Sequence, residues 1–244
     1  MKISLSFLYQ LRDQRMAILV YYIVLVSMIL VSLIAMPFVS SAGDGSFLST
    51  NGVTSITIIF ALILSLCAFK ESFFLNLQHG VSRRSQFIGR LAAMGTACAI
   101  MAAADEAYTL MVSGLQAVFP DSFHGSSLYS MAYEGESGAL TWLLSVVFSF
   151  FALMAVCSLG YLISVFMYRL NKIGKIVFWS AAPILFVAFL SHVTTHIYGK
   201  VAVFLANLAG MCFSTLPRMI LTCTLLTAVF SALAWLLMRR AAIK

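Results

Sequence analysis

The sequence predicts an all-α polytopic membrane protein with six transmembrane helices, and its composition carries that prediction. Of the 244 residues, 62% are hydrophobic and only 9% are charged, and the mean hydropathy is +1.01. A soluble domain carries about 25% charged residues, and so few charges could not cover the outside of a water-soluble fold of this size. The composition therefore excludes a soluble enzyme, a disordered chain and a secreted disulfide scaffold.

Six apolar stretches predict the membrane spans, because a helix needs about 20 apolar residues to cross the hydrocarbon core. They cover residues 16–38, 53–69, 91–119, 140–168, 176–198 and 219–238. Pro37 lies at the end of the first stretch, Pro120 follows the third, and Pro183 lies inside the fifth. We expect residues 1–244 to form a single transmembrane domain.

The distribution of basic residues predicts the orientation of these spans. With both termini in the cytoplasm, thirteen of the 15 Lys and Arg residues face inward, and only Lys200 and Arg218 face outward. Lys and Arg accumulate in cytoplasmic loops of membrane proteins. The net charge of +7 therefore reflects topology, and it predicts no nucleic-acid partner.

Residues 1–15 predict an amphipathic helix that lies at the inner membrane surface before the first span. Apolar residues such as Leu5 and Leu8 alternate there with polar ones such as Ser6 and Gln10. The alternative is a disordered leader, but the apolar residues are too many for a solvated tail. The segment lacks the small-residue cleavage pattern of a signal peptide.

Residues 199–218 predict an extracellular re-entrant segment between spans five and six. Gly199 and Lys200 break the fifth span, and the apolar stretch that follows covers only residues 201–211. A helix of that length measures about 16 Å, which is too short to cross the membrane. Such backbone is tolerated at membrane depth only where protein buries it or water lines it, so we expect an outer cavity nearby.

The cysteines predict packing rather than a disulfide framework or a metal site. All of them lie in apolar stretches, and none has a metal-like C-x-x-C spacing. They are Cys67, Cys98, Cys157, Cys212 and Cys223. We interpret them as reduced residues that face lipid or pack between helices, and we expect neither a metal nor a cofactor in this chain.

Asp105 and Glu106 are two adjacent acidic residues within the third predicted span. A charge at such a depth costs several kcal/mol unless it is paired, neutralised or hydrated. One interpretation is that one or both line a polar cavity or transport path in the outer half of the membrane. The other is that the span ends early and both lie in the headgroup region. Adjacent residues on a helix point about 100° apart, so the two acids need not share a partner.

His192 and His196 lie near the outer end of the fifth predicted span, four residues apart and therefore on one helix face. Such a pair can bind metal, but Val193 stands where a zinc protease would carry its general base. The alternatives are a polar contact at the outer cavity, with Asp105 or Glu106 at similar depth, and a simple interfacial pair. We expect no metal site.

The segment 70–90 predicts a structured cytoplasmic loop. It is too polar to span the membrane and too apolar for a plain linker, which predicts a short helix, a break at Gly80 and a second helix. Ser82 is suited to cap the second helix, because its hydroxyl can accept a bond from a free N–H of the first turn. A basic, partly apolar loop suits the docking of a cytoplasmic partner, although Arg83 and Arg84 alone fit ordinary positive-inside charge.

The layout and this loop resemble the ABC-2 type transporter permeases, the membrane subunits of bacterial ABC exporters. The shared layout comprises an interfacial helix, six spans with both ends inside, and a re-entrant segment before the last span. The family's loop carries an acid, a Leu-rich helix, a Val-Ser-Arg turn and a Gly-Lys pair. Here the corresponding residues are Glu71, Leu75, Leu77, Gly80, Val81, Ser82, Arg83, Gly89 and Arg90, with Arg in place of the family's Lys.

The resemblance implies that the loop is a coupling helix that contacts a separate ATPase dimer, which binds ATP and Mg²⁺. The implied contact residues are Glu71, Leu75, Leu77, Gly80, Val81, Ser82, Arg83 and Arg84. It also implies a bacterial cytoplasmic membrane protein that pairs with a second copy or a sister permease. The path between them would carry a hydrophobic or amphipathic cargo such as a peptide, a lipid or a drug.

Two other functions remain open from the sequence. One is a membrane-embedded enzyme that uses Asp105, Glu106, His192 and His196. The other is a non-transporting immunity or sensor subunit, which would share the topology but stimulate no ATPase. The sequence contains no G-x-x-x-x-G-K-[ST] loop, so ATP hydrolysis through a P-loop belongs to a partner and we do not expect this chain to be an enzyme by itself.

Overall fold

A computed structural model describes residues 2–39, 48–49, 53–78, 80–119, 123–124, 127–133, 139–171, 173–178, 180–181, 207, 210 and 212–239. Long helices dominate the described chain, and two-residue segments form one short parallel β pairing. The elements are α1 (Lys2–Val39), β1 (Leu48–Ser49), α2 (Val53–Gln78), α3 (Arg83–Val118), β2 (Phe123–His124), α4 (Leu128–Ala132), α5 (Ala139–Arg169) and α6 (Leu216–Arg239).

Five helices of the described chain are long and apolar enough to cross a membrane, namely α1, α2, α3, α5 and α6. They coincide with five of the six predicted spans and confirm a multi-pass helical membrane protein. The fifth predicted span, 176–198, lies outside the described residues beyond position 181, and so does most of the predicted re-entrant segment 199–218.

The helices extend well beyond the apolar stretches that predicted them. Helix α1 begins at Lys2 without a break at residue 15, so the predicted interfacial helix 1–15 is continuous with the first span. Helix α2 continues to Gln78 and α3 already begins at Arg83, so the predicted loop 70–90 is helical on both sides of a short turn. Charged residues lower hydropathy but many are good helix formers, so a helix need not end where its apolar stretch ends.

Helices α1 and α3 run parallel to each other. At one end Gly89 of α3 lies against Ser6 of α1, and near the other end Ile29 and Val112 share one buried cluster. Helices α2 and α5 are also parallel. Cys157 and Ser164 of α5 donate hydrogen bonds to carbonyl groups at successively later positions of α2, Ala61 at 3.6 Å and Leu66 at 2.7 Å.

Helix α6 runs parallel to α5 and antiparallel to α3. Phe148 and Cys223 belong to one buried cluster near the start of α5 and α6, and Tyr161 and Met238 belong to another near their ends. Arg83 Nη1 donates a hydrogen bond of 2.8 Å to the carbonyl oxygen of Arg239, which places the start of α3 beside the end of α6.

These directions define one end of the bundle, which we call the basic end. It holds the starts of α1 and α3 and the ends of α2, α5 and α6. Seven described arginines belong to these segments: Arg12, Arg15, Arg83, Arg84, Arg90, Arg169 and Arg239. Arg218 belongs to the start of α6, at the opposite end.

The central core lies where α1, α2, α3 and α5 meet, and small side chains dominate it. Ala61, Ala97, Cys98 and Ala102 are each no more than 3% exposed. Small residues allow membrane helices to approach closely where no hydrophobic effect drives them together. Cys98 donates to Cys157 Sγ at 3.6 Å, and both remain free thiols in the bundle interior.

Candidate functional site

A hydrogen-bonded cluster around Asp105 joins three helices inside the bundle. The carboxylate is 1% exposed, and its Oδ1 accepts from the hydroxyl of Tyr22 on α1 at 2.8 Å and from that of Thr57 on α2 at 2.9 Å. Tyr21 extends the cluster, because its hydroxyl lies 2.8 Å from Thr57 Oγ1. Asp105 Oδ2 is buried and has no hydrogen-bond partner among the described residues.

Glu106 lies on a different side of α3 from Asp105. Its carboxylate is 3% exposed and accepts a hydrogen bond from Ser145 on α5. The two acids therefore contact different helices, which the angle of about 100° between adjacent helix positions allows. Helix α3 continues to Val118, so the helix does not end at the acids.

The other two polar residues predicted for this region are His192 and His196, which lie outside the described residues. Their proximity to Asp105 or Glu106 therefore stays a prediction. The described part of the chain brings together no group of three or more His, Cys, Asp and Glu side chains suited to a metal ion. A transport path along Asp105 and Glu106 also stays a prediction.

A second buried polar cluster surrounds Arg90 on α3. Its side chain is 3% exposed, and with the amide oxygen of Gln14 turned toward it, Nη1 and Nη2 donate to that oxygen at 2.6 and 3.0 Å. The guanidinium also lies 5.7 Å from the ring centroid of Tyr161 on α5. The cluster therefore links α1, α3 and α5 at the basic end through an amide and an aromatic ring.

The start of α1 carries a buried polar face that ends at Gln14 of this second cluster, and the sequence pattern did not predict its burial. Ser6, Gln10 and Gln14 are all at most 4% exposed, and Gln10 Nε2 donates to Ser6 Oγ at 3.0 Å. Leu8 on the opposite face is 56% exposed. The spacing of four between the buried polar residues was the available signal, because such residues share one helix face.

The turn between α2 and α3 has the break and the cap that the sequence predicts. Gly80 adopts a φ of 66°, a left-handed conformation that favours glycine. Ser82 has an extended conformation, and its hydroxyl accepts from the Ser85 N–H at 3.2 Å, which caps α3. Gly80, Ser82 and Arg84 are exposed, so the turn presents polar groups at the basic end.

The remaining predicted contact residues differ in their surroundings. Leu75 and Val81 are half-buried, and Arg83 is held by its bond to the Arg239 carbonyl. The side chains of Glu71 and Leu77 lie outside the described residues. Phe73, from the same segment, is fully buried against α5 and α6, so this part of α2 packs into the bundle rather than projecting from it.

Removal of the cap at Ser82 should destabilise the start of α3. We expect Ser82→Ala to lower the free energy of unfolding by about 1 kcal/mol, and Ser82→Gly to cost only a few tenths of a kcal/mol. Unfolding of the purified chain in detergent measures both. Equal effects of the two substitutions would contradict the capping role, because a glycine tolerates an uncapped helix start far better than alanine does.

A comparison with models of protein families, with curated proteins and with solved structures finds no match to this chain. Its class therefore follows from the fold alone. Long apolar helices with buried polar clusters between them and exposed apolar faces outside define a multi-pass membrane protein.

Proposed function

We propose that this chain is the membrane-spanning permease subunit of an ATP-driven exporter, coupled to a separate ATPase. The observation that carries the proposal is the capped turn between α2 and α3. It exposes Gly80, Ser82 and Arg84 at the basic end, on a hairpin whose two helices run into the bundle. A partner that pushes on this turn would act directly on two membrane-spanning helices.

The helix directions support the six-span topology of the proposal. Because α5 and α6 are parallel, residues 170–215 have to bring the chain from the basic end back to the opposite end. That stretch includes the apolar segment 176–198, which is long enough for one crossing. With that crossing, both termini lie at the basic end, which the positive-inside rule places in the cytoplasm.

In the proposed mechanism the ATPase supplies the free energy and this chain supplies the path. The ATPase would bind the turn more tightly in one of two permease conformations, and nucleotide would shift the population between them. A second copy or a sister permease would complete the path along the interface. Hydrophobic or amphipathic molecules suit such a path, and the buried carboxylates of Asp105 and Glu106 would lie beside it rather than at an aqueous surface.

The experiment that tests the proposal is purification of the tagged chain from its own host in mild detergent, with identification and quantification of everything retained. We expect an ATPase at about one copy per permease, because both subunits form dimers in the proposed complex. A folded, monodisperse chain that retains no ATPase would contradict the proposal. The number of distinct membrane proteins in the same sample distinguishes a homodimer from a heterodimer.

Arg84→Glu should release the ATPase without unfolding the membrane domain. Arg84 is exposed beside the capped turn, so a reversed charge would oppose an acidic or polar partner surface and bury no new group. We expect at least a tenfold loss of retained ATPase at unchanged abundance of the chain. Arg83→Glu is less informative, because it would also remove the bond to the Arg239 carbonyl.

Lys175→Glu is the matched control for this test. Lys175 is also exposed and follows α5 at the basic end, so the substitution changes the net charge equally away from the turn. Retention of the ATPase by Lys175→Glu and its loss in Arg84→Glu assign docking to the turn. Equal loss in both variants would indicate a diffuse electrostatic attraction and contradict the proposed docking surface.

A further inference from the structure

An apolar groove with a charged edge lies on the outer surface of the α1–α3 pair. Its volume is about 900 Å³, and it is lined by seven positions along one face of α1 and by Ile100 and Ala104 of α3. Apart from Arg12, Arg15 and Tyr22 its lining residues are apolar, with Ile18 and Leu19 on the α1 side. Leu19 and Ile100 are each 53% exposed, so the groove opens to the surroundings of the bundle.

The two arginines at the edge of the groove have no ion-pair partner among the described residues, although Asp13 lies between them in the sequence. Arg12 and Arg15 are exposed, lie three residues apart and therefore share one face of α1. Among the described residues neither makes a hydrogen bond or an ion pair, and no carboxylate lines the groove. Each guanidinium presents a planar fork of N–H donors that suits a phosphate group, and two of them lie about one helical turn apart.

The length of α1 places these arginines at headgroup level. The apolar stretch of α1 extends to Phe38, and the twenty-three steps from Arg15 to that residue measure about 35 Å along a helix. The hydrocarbon core is about 30 Å thick and membrane helices tilt by about 20° on average, so Arg15 lies just beyond one boundary when Phe38 lies at the other. Ile18 and Leu19 then lie within the acyl chains of the same leaflet.

We propose that this groove binds an anionic phospholipid of the leaflet at the basic end. Its phosphate lies between Arg12 and Arg15, and one acyl chain packs along Ile18, Leu19, Ile100 and Ala104. A second copy of this chain is a poorer occupant, because two-fold pairing would bring four arginines together. The proposal depends on the membrane placement of α1 and not on coupling to an ATPase.

Native mass spectrometry of the full chain in detergent tests the site with two lipids of identical acyl chains, dioleoyl phosphatidylglycerol and dioleoyl phosphatidylcholine. We expect the chain to retain the anionic lipid preferentially. Loss of a basic residue near a membrane surface weakens anionic lipid binding about fivefold, so Arg12→Gln/Arg15→Gln should weaken it about 25-fold. Equal retention of the two lipids by the unaltered chain would overturn the proposal.

A control variant separates a site from general attraction to a basic protein. Lys175→Gln/Arg239→Gln removes the same charge from exposed positions at the basic end outside the groove. We expect this variant to retain the anionic lipid like the unaltered chain. A loss equal to that of Arg12→Gln/Arg15→Gln would show that net charge alone attracts the lipid, which would overturn the site.

The apolar wall is tested by filling the groove while both arginines remain. Ala104→Trp places a large ring against the path of the acyl chain, and we expect at least a fivefold loss of the anionic lipid. Unchanged retention of the anionic lipid in a folded sample would mean that only the headgroup is bound. That result would contradict binding of an acyl chain in the groove. A change of oligomeric state in this variant without a change in lipid retention would assign the groove to a self-interface and also overturn the proposal.

Discussion

Asp105→Asn should leave the folded chain at least as stable as the unaltered protein, whereas Tyr22→Phe should lower its free energy of unfolding by about 1–3 kcal/mol. The contrast follows from the hydrogen bonds of the carboxylate. Asp105 Oδ1 accepts from Tyr22 at 2.8 Å and from Thr57 at 2.9 Å, and an asparagine oxygen in its place keeps both donors. Tyr22→Phe removes one of them and leaves a buried carboxylate with Thr57 alone.

The two hydroxyls do not need the carboxylate. Tyr22 also lies 2.9 Å from the Met101 carbonyl oxygen, and Thr57 lies 3.1 Å from that of Val53. Each hydroxyl therefore keeps an acceptor when Asp105 is neutralised. A buried carboxyl group with one unpartnered oxygen stabilises the fold no better than an amide does, so we expect that packing of α1 and α2 on α3 does not require it.

A double-mutant cycle in detergent measures this relationship. We expect Tyr22→Phe to cost less in the Asp105→Asn background, with a coupling free energy of about 0.5–3 kcal/mol. Tyr21→Phe is the matched control, because the Tyr21 hydroxyl contacts Thr57 and not Asp105. It should cost little in either background. Destabilisation by Asp105→Asn as large as that by Tyr22→Phe would contradict the prediction and make the carboxylate a structural link.

Asp105→Asn also tests the prediction that Asp105 lines a transport path. If Asp105 lines it, Asp105→Asn should lower ATP turnover by the purified complex while abundance and unfolding remain unchanged. Reduced abundance with normal turnover per complex would assign Asp105 to the fold. The two results are distinguishable because turnover is expressed per mole of retained permease.

The hydropathy pattern locates the five membrane-spanning helices of the described chain but not the ends of those helices. Hydropathy falls at Lys70 and rises again at Leu91, whereas α2 continues to Gln78 and α3 begins at Arg83. Leaving the hydrocarbon core changes the solvent around a helix without removing its backbone hydrogen bonds. Specific local chemistry was more informative, since the turn at Gly80 and the cap at Ser82 follow from backbone preferences that one residue carries.

The hydrogen-bond partners of the buried polar residues could not be predicted from the sequence. Adjacent positions on a helix showed that Asp105 and Glu106 point apart. They did not show that Tyr22 and Thr57 donate hydrogen bonds to Asp105, or that Ser145 donates one to Glu106. The Arg90 site was missed for a related reason. In water a helix turns its polar face outward, but at the start of α1 Gln10 and Gln14 face the bundle. Their burial follows from contacts between helices, since Gln14 accepts from Arg90 of α3, and a single sequence does not show which helices meet.

Gly160→Leu should have the largest effect on folding, because α5 crosses α2 at this residue without room for a side chain. A Cβ at position 160 would overlap Ser65 Oγ and lie 3.0 Å from the Leu62 carbonyl oxygen. A serine side chain can rotate, but a helix carbonyl cannot move without its helix. Overpacking of a well-packed site costs about 1–3 kcal/mol, and a leucine against backbone should reach the upper end or exceed it.

Separation of the two helices would also break bonds on either side of the glycine. Ser164 donates to the Leu66 carbonyl at 2.7 Å, and Cys157 donates to that of Ala61 at 3.6 Å. Both contacts depend on the close approach that Gly160 permits. We therefore expect Gly160→Leu to abolish recovery of monodisperse chain rather than only shift its unfolding midpoint.

Gly114→Leu is the matched control, because Gly114 also lies within a long helix but a Cβ there meets no atom within 4 Å. We expect this variant to be recovered normally. A graded test uses Gly160→Ala, whose methyl group first meets Ser65 Oγ, so Ser65→Ala should restore part of its lost stability. Normal recovery of Gly160→Leu would contradict a tight α2–α5 crossing. An equal gain in stability from Ser65→Ala in the unaltered chain would contradict it as well. Restoration limited to the double variant would show that the contact between Ser65 and position 160 limits how closely α2 and α5 pack there.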